Sequence, residues 1–163
     1  MKAGGTTVPI LIRPAHGEDR EWILPLSARL HDFGPPPWRR RPEMDAAVAR
    51  AIGQVLDSPG KDTVVFVAED PERIPLGFVH VHTARDFFTQ EEHGHVSDIV
   101  VASGAEGRGV GRALMAAGEG WSRARGHRLL TLNVFAENTR ARELYDRLGF
   151  AADTTKLVKV LVS

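Results

Sequence analysis

Apolar positions along the chain recur with two periods, and the switches between them outline a series of strands and helices. Val8 to Arg13 is rich in β-branched residues and predicts a first or edge strand, which Pro14 stops. Trp22, Ile23, Leu26 and Leu30 then fall at helical spacing, predicting a helix over Glu18 to Leu30. Residues 33–42 hold three consecutive prolines and can be neither helix nor central strand, so a loop is expected. A second helix is predicted over Asp45 to Leu56, with Val48, Ile52 and Val55 on one face. After the turn cluster at residues 57–60, Thr63 to Ala68 and Leu76 to Thr83 read as strands joined by a short polar link, an antiparallel hairpin. A polar loop with an exposed-looking Phe87-Phe88 pair leads to a strand over His95 to Ala102.

Ser103 to Gly109 is a glycine-rich turn, and Val110 to Arg125 is a helix striped by Val110, Leu114, Ala117 and Trp121. Gly118 and Gly120 weaken that helix by about 1 kcal/mol each. A strand over Leu129 to Phe135 and a helix over Asn138 to Leu148 follow, the latter with a left-handed cap expected at Gly149. Lys156 to Val162 is predicted to be a last strand. The order is β-α-α-β-β-β-α-β-α-β: a mixed, mostly antiparallel central sheet flanked by helices, an α/β or α+β architecture.

Composition narrows the classes. A chain of 163 residues is expected to form a single domain over 1–163. With 42% hydrophobic and 26% charged residues, it is neither disordered nor fibrous. Lys+Arg and Asp+Glu both number 21, so no nucleic-acid partner is expected. The absence of cysteine excludes a thiolate zinc site and a Cys nucleophile. The longest apolar runs fall far short of the ~18 residues that span a bilayer, and no signal peptide is legible, so no membrane partner and a cytoplasmic location are expected.

The candidate chemistry centres on residues 99–112. Ile99, Val100 and Val101 feed Glu106, Gly107, Arg108, Gly109, Val110, Gly111 and Arg112. A buried strand entering a glycine-rich turn that opens a helix offers free N–H groups at the positive end of the helix dipole, suited to a phosphate. The same turn can also serve only as a tight connection. A P-loop needs Gly-Lys-Ser/Thr, which this chain lacks, and the third glycine is one residue early for a dinucleotide fingerprint. Residues 106–150 hold eight arginines against five acids, a local surplus that suits a polyphosphate ligand.

Gly109 and Gly111 match the turn [Q/R]-x-x-G-x-[G/A], and Asn138, Ala141, Tyr145, Gly149 and Phe150 match N-x-x-A-x-x-x-Y-x-x-x-G-F. With both motifs in this order, the chain resembles the GCN5-related N-acetyltransferases. The resemblance is clearest over Ser97 to Phe150. It implies a GNAT-type fold, acetyl-CoA as cosubstrate, and transfer of the acetyl group to a primary amine of a small molecule or peptide. A non-catalytic CoA-binding sensor or interaction module of the same fold is the alternative. A homodimer is a family-level expectation.

The resemblance also implies roles. The amides of residues 107–112 hold the pyrophosphate, the Ile99 to Val101 backbone pairs with the pantetheine arm, and Asn138 joins the cofactor site. Asn138 is equally a good helix N-cap. Tyr145, the only tyrosine, donates a proton to the departing thiolate. Asp98, His95, or a chain of waters or another residue is the candidate base, and strand alternation places Asp98 and His95 on opposite faces. His80, His82, His93 and His95 form two H-x-H pairs, read as a polar rim of the acceptor site with no metal assigned. Phe33 and Trp38 are weak candidates for acceptor contact. Glu106 departs from the family's Arg or Gln; Arg108 and Arg112 are the expected compensation.

Overall fold

The structure is a computed structural model describing residues 8–162; its β-branched runs assemble one sheet of five strands in the order β1-β2-β3-β4-β5. β1 is Leu11–Pro14, β2 Thr63–Glu69, β3 Pro75–Arg85, β4 Glu92–Val101 and β5 Leu130–Leu132. The first four pair antiparallel, and β5 runs parallel to β4. The parallel junction follows from the helical crossover between them. The helices are α1 (Arg20–Ser27), α2 (Arg41–Asp57), α3 (Val110–Ala124) and α4 (Thr139–Arg147). None of these helices is long and apolar enough to cross a membrane.

Each face of the sheet buries its own helices. Val79, Val81 and Val96 pack with Val110, Leu114 and Met115 of α3. On the other face, Val65, Val67, Phe78 and Val100 enclose Ile23 of α1 and Ile52 of α2. Burying such a side chain contributes roughly 1.5–3 kcal/mol, so tertiary packing outweighs the glycines that weaken α3. Gly118 has a packing role as well: a Cβ there would lie 3.1 Å from Val81 Cγ2, so its absence brings the helix close to β3.

The first helix departs from its predicted extent. Pro25 lies inside α1, and the segment over Ala28–His31 tightens into a 3₁₀ turn. Proline removes one helical hydrogen bond and crowds the preceding turn. The proline loop lies where expected, and Pro42 sits in the first turn of α2, where its missing N–H costs nothing. Pro14 is the last residue of β1, tolerated because β1 is an edge strand.

Two corrections concern strands. The strand predicted over Lys156 to Val162 does not form; residues 150–162 carry no regular structure, and Leu157 and Leu161 are 88% and 84% exposed. Alternating apolar residues become a strand only beside an edge that supplies hydrogen bonds, and β5 offers three residues. The second correction is a β-bulge in β4. His80 pairs with Asp98, but Val81 pairs with Val96, leaving Ser97 as an extra residue. The bulge resets the alternation, so His95 and Asp98 share the face that also carries His80 and His82, contrary to a regular two-residue period.

Candidate active site

β4 delivers the chain into the turn that precedes α3. Gly107 and Gly109 adopt left-handed φ values of 73° and 83°, which disfavour any residue with a Cβ. An added Cβ at either would meet nothing within 4 Å, so open space lies in front of this backbone. No side chain caps α3, and its first backbone bond is from the Ala113 N–H to the Gly109 carbonyl, at 3.0 Å. The amides of Val110, Gly111 and Arg112 therefore have no helical acceptor. This cradle fits a diphosphate: unpaired donors, the positive end of a helix dipole, and space that a methyl would fill.

Glu106 does not face this space alone. Its Oε1 accepts from Arg29 Nη2 at 2.6 Å and its Oε2 from Arg140 Nη1 at 3.1 Å. Arg108 and Arg112, the expected compensation, are exposed.

The edge of β4 beyond the bulge is free. Pairing with β5 runs only from Gly94↔Leu130 to Val96↔Leu132. Asp98, Ile99, Val100 and Val101 pair with β3 on one side and have no strand partner on the other among the described residues. An extended, amide-bearing chain can add to such an edge as an extra strand. The open edge leads to the uncapped helix through a 3₁₀ turn over Ser103–Ala105 and the glycine turn.

On the α1–α2 face, the apolar surface ends in a row of polar rings. His80 is buried, with Nε2 2.9 Å from Thr63 Oγ1 and Nδ1 3.2 Å from Asp98 Oδ2. His82 follows at 5.8 Å between ring centroids and His95 at 5.3 Å from His82. His82 Nδ1 lies 2.9 Å from Ser97 Oγ, the bulge residue. His95 Nδ1 lies 2.7 Å from Thr131 Oγ1, which in turn aims its hydroxyl at the Gly94 carbonyl, 3.4 Å away. The hydroxyl of Thr131 thus orients the His95 ring through Nδ1. Burial first, and then the neighbouring histidines, hold both His82 and His95 below the ordinary imidazole value, so both are neutral at pH 7. Asp98, by contrast, is engaged by His80. Among the described residues, no group of three His, Cys, Asp or Glu is arranged to hold a metal.

α4 brings the second motif to the same region. Asn138 Oδ1 accepts from the Ala141 N–H at 3.2 Å, so its side chain caps the helix. Gly111 of α3 faces Leu144 of α4 and Val101 of β4, 3.5 and 3.8 Å from where its Cβ would be. Tyr145, the next residue, stacks edge-on against Phe150 at 5.8 Å. Burial pushes its hydroxyl above the usual tyrosine value, so it is fully protonated at neutral pH.

The loop before α2 reaches across to the segment after β5. Phe33 stacks on Phe135 at 5.1 Å, and the Arg39 guanidinium lies 5.9 Å from the Phe135 ring centroid. Trp38, the residue before Arg39, is half-exposed. Sequence reasoning passed over Thr131, Phe135 and Arg29. Each becomes part of the site only through a partner distant in sequence, and no local spacing marks it.

This combination of a bulged, open strand, an uncapped glycine turn and a following motif helix defines an acyl-CoA-binding class of fold. The family model described as "Acetyltransferase (GNAT) family" matches residues 27–150, and the chain belongs to that family. Among relatives, a mycothiol acetyltransferase of Gordonia bronchialis is 37% identical over 103 residues, 63% of this chain. The chain spans only 32% of that relative's length. An uncharacterised N-acetyltransferase of Bacillus subtilis, YhfO, is 24% identical over 88% of this chain and 91% of its own. The fold is also that of an aminoglycoside N-acetyltransferase in complex with CoA (TM-score 0.72, 20% identity, 99% of each chain). A GCN5-related N-acetyltransferase from Ralstonia eutropha gives a TM-score of 0.74 at 18% identity, covering 93% of this chain and 99% of its own.

Proposed function

We propose that this chain is an acetyl-CoA-dependent N-acetyltransferase that passes the acetyl group directly to a primary amine of a small molecule. The observation that carries this reading is the free edge of β4 leading, through the glycine turn, to the uncapped N-terminus of α3. Acetyl-CoA, when bound, supplies a thioester acyl group and a thiolate leaving group.

The chain's own residues supply the rest. Amides from Val110 to Arg112, with Gly107 and Gly109 opening the approach, would hold the diphosphate. The free edge of Ile99, Val100 and Val101 would hold the arm, and a backbone N–H at that edge would polarise the acyl carbonyl. His95 is neutral at neutral pH and takes the amine proton. The Asp98–His80 pair places a carboxylate on the same face, favouring a cationic amine there. Tyr145 keeps its proton until the thiolate needs it. No covalent enzyme intermediate is required, in keeping with the absence of cysteine. Relatives named for mycothiol and aminoglycoside acetylation support a small-molecule acceptor.

The test is release of free thiol from acetyl-CoA across a broad amine panel, with Tyr145→Phe alongside. Turnover reduced about 10²–10⁴-fold in the variant, with little change in KM for acetyl-CoA, is expected of a lost general acid. Tight CoA binding with no turnover on any amine would instead favour the non-catalytic module. No CoA binding would defeat both readings.

A further inference from the structure

We propose that Arg29 and Arg140, both held by Glu106, together supply the cationic contact to the cofactor's phosphates that an acid at position 106 cannot. The inference rests on the CoA-binding reading above. Glu106 lies immediately before the left-handed glycine turn, where a carboxylate by itself would repel a phosphate. Both of its oxygens are occupied: Arg29 donates to Oε1 at 2.6 Å and Arg140 to Oε2 at 3.1 Å. The two arginines come from separate parts of the chain, the 3₁₀ turn after α1 and the first turn of α4. Two guanidinium groups on one carboxylate leave one surplus positive charge beside the turn, the charge that a single arginine at position 106 would carry.

Asp32 and Asp45, the neighbouring acids, lie closer to other groups than to either arginine. Asp32 Oδ2 is 3.9 Å from Arg29 Nη1, but Asp32 Oδ1 accepts from Arg41 at 2.6 Å. Asp45 lies 3.5 Å from the same Arg41 and 2.6 Å from His31 Nδ1. Each of these acids therefore makes its shortest contact with a group other than Arg29. The arginines also keep unused donors. Arg29 Nε is buried and has no partner, which costs free energy unless an acceptor arrives. The Arg140 side chain is 75% exposed and spends one of its five N–H groups on Glu106. Glu106 thus acts as a positioning residue. It holds two long side chains beside the residue that opens the turn, and it joins α4 to the segment between α1 and α2.

The experiment measures CoA binding by calorimetry at low and moderate salt for the wild type, Arg29→Met, Arg140→Met, and Arg140→Met combined with Glu106→Gln. Pantetheine, which has no phosphate, is the control ligand. Losing one charge-assisted contact predicts CoA binding about tenfold weaker in Arg140→Met, with a flatter salt dependence and unchanged pantetheine binding. Adding Glu106→Gln to Arg140→Met restores the surplus charge and is expected to recover most of the affinity. Arg140 is exposed, so its variants read the effect even if Arg29→Met folds poorly. CoA affinity unchanged in Arg140→Met, no recovery in the double variant, or an equal loss for pantetheine would each overturn the inference. A wild type that binds no CoA would overturn the CoA-binding reading itself, a distinguishable failure.

Discussion

Replacing Gly109 with alanine separates the cost to the fold from the cost to the site. Gly109 sits at φ 83° and ψ 10°, and holding an L-residue in the left-handed region costs about 1–2 kcal/mol. No atom lies within 4 Å of the new methyl, so no clash adds to that strain. In a chain this size each kcal/mol lowers Tm by about 2–4 °C, which predicts a modest fall of roughly 2–8 °C. The methyl would occupy the space in front of the unpaired amides. Losing one charge-assisted amide contact to a phosphate costs about 1.5–3 kcal/mol, or roughly a 10- to 150-fold weaker CoA affinity. Gly77→Ala is the contrast: its Cβ would lie 2.5 Å from the Val100 carbonyl oxygen, so the fold itself must give way. Thermal melts and calorimetric titration with CoA measure both quantities. If Gly109→Ala loses stability but binds CoA as the wild type does, the phosphate does not sit against this turn and the reasoning is refuted.

Two further outcomes follow from the bulge and the histidine row. His95 is held below the ordinary imidazole value of 6.5, mainly by burial, so its neutral form prevails through pH 7 and is lost only as pH falls through that lowered value. The acid limb of kcat/KM should accordingly lie below pH 6.5, and His95→Gln should lower turnover about 10²–10⁴-fold and abolish that limb. A pH profile in which the variant keeps the same limb would exclude His95 as the base. Deleting Ser97 would return β4 to regular pairing while leaving Val96 and Ile99 on the α3 face. Because pairing with β5 ends at Val96, just before the bulge, the deletion should preserve Tm but abolish thiol release. Full activity in the deletion variant would show that the bulge does not shape the site.

How much of this was legible beforehand depends on whether the determinant is local. The helix over α3, the Asn138 cap and the left-handed Gly149 all follow from short-range spacing, and each is present. Both motifs could be read for the same reason, since a glycine turn and an amphipathic helix are specified within about a dozen residues. The tail shows the limit. Lys156 to Val162 has strand-like composition, yet a strand also requires a partner edge, and β5 is too short to provide one. The relation of His95 to Asp98 shows it again, because one extra residue in β4 reverses an inference drawn from alternation.

The sequence alone determined the order of elements from β1 through α4 and the two family motifs. Only the tertiary structure decided that Glu106 is claimed by Arg29 and Arg140, that His95 leans on Thr131, and that Phe33 meets Phe135. Those pairings join segments tens of residues apart, and their geometry is set by sheet register and helix packing rather than by any local pattern.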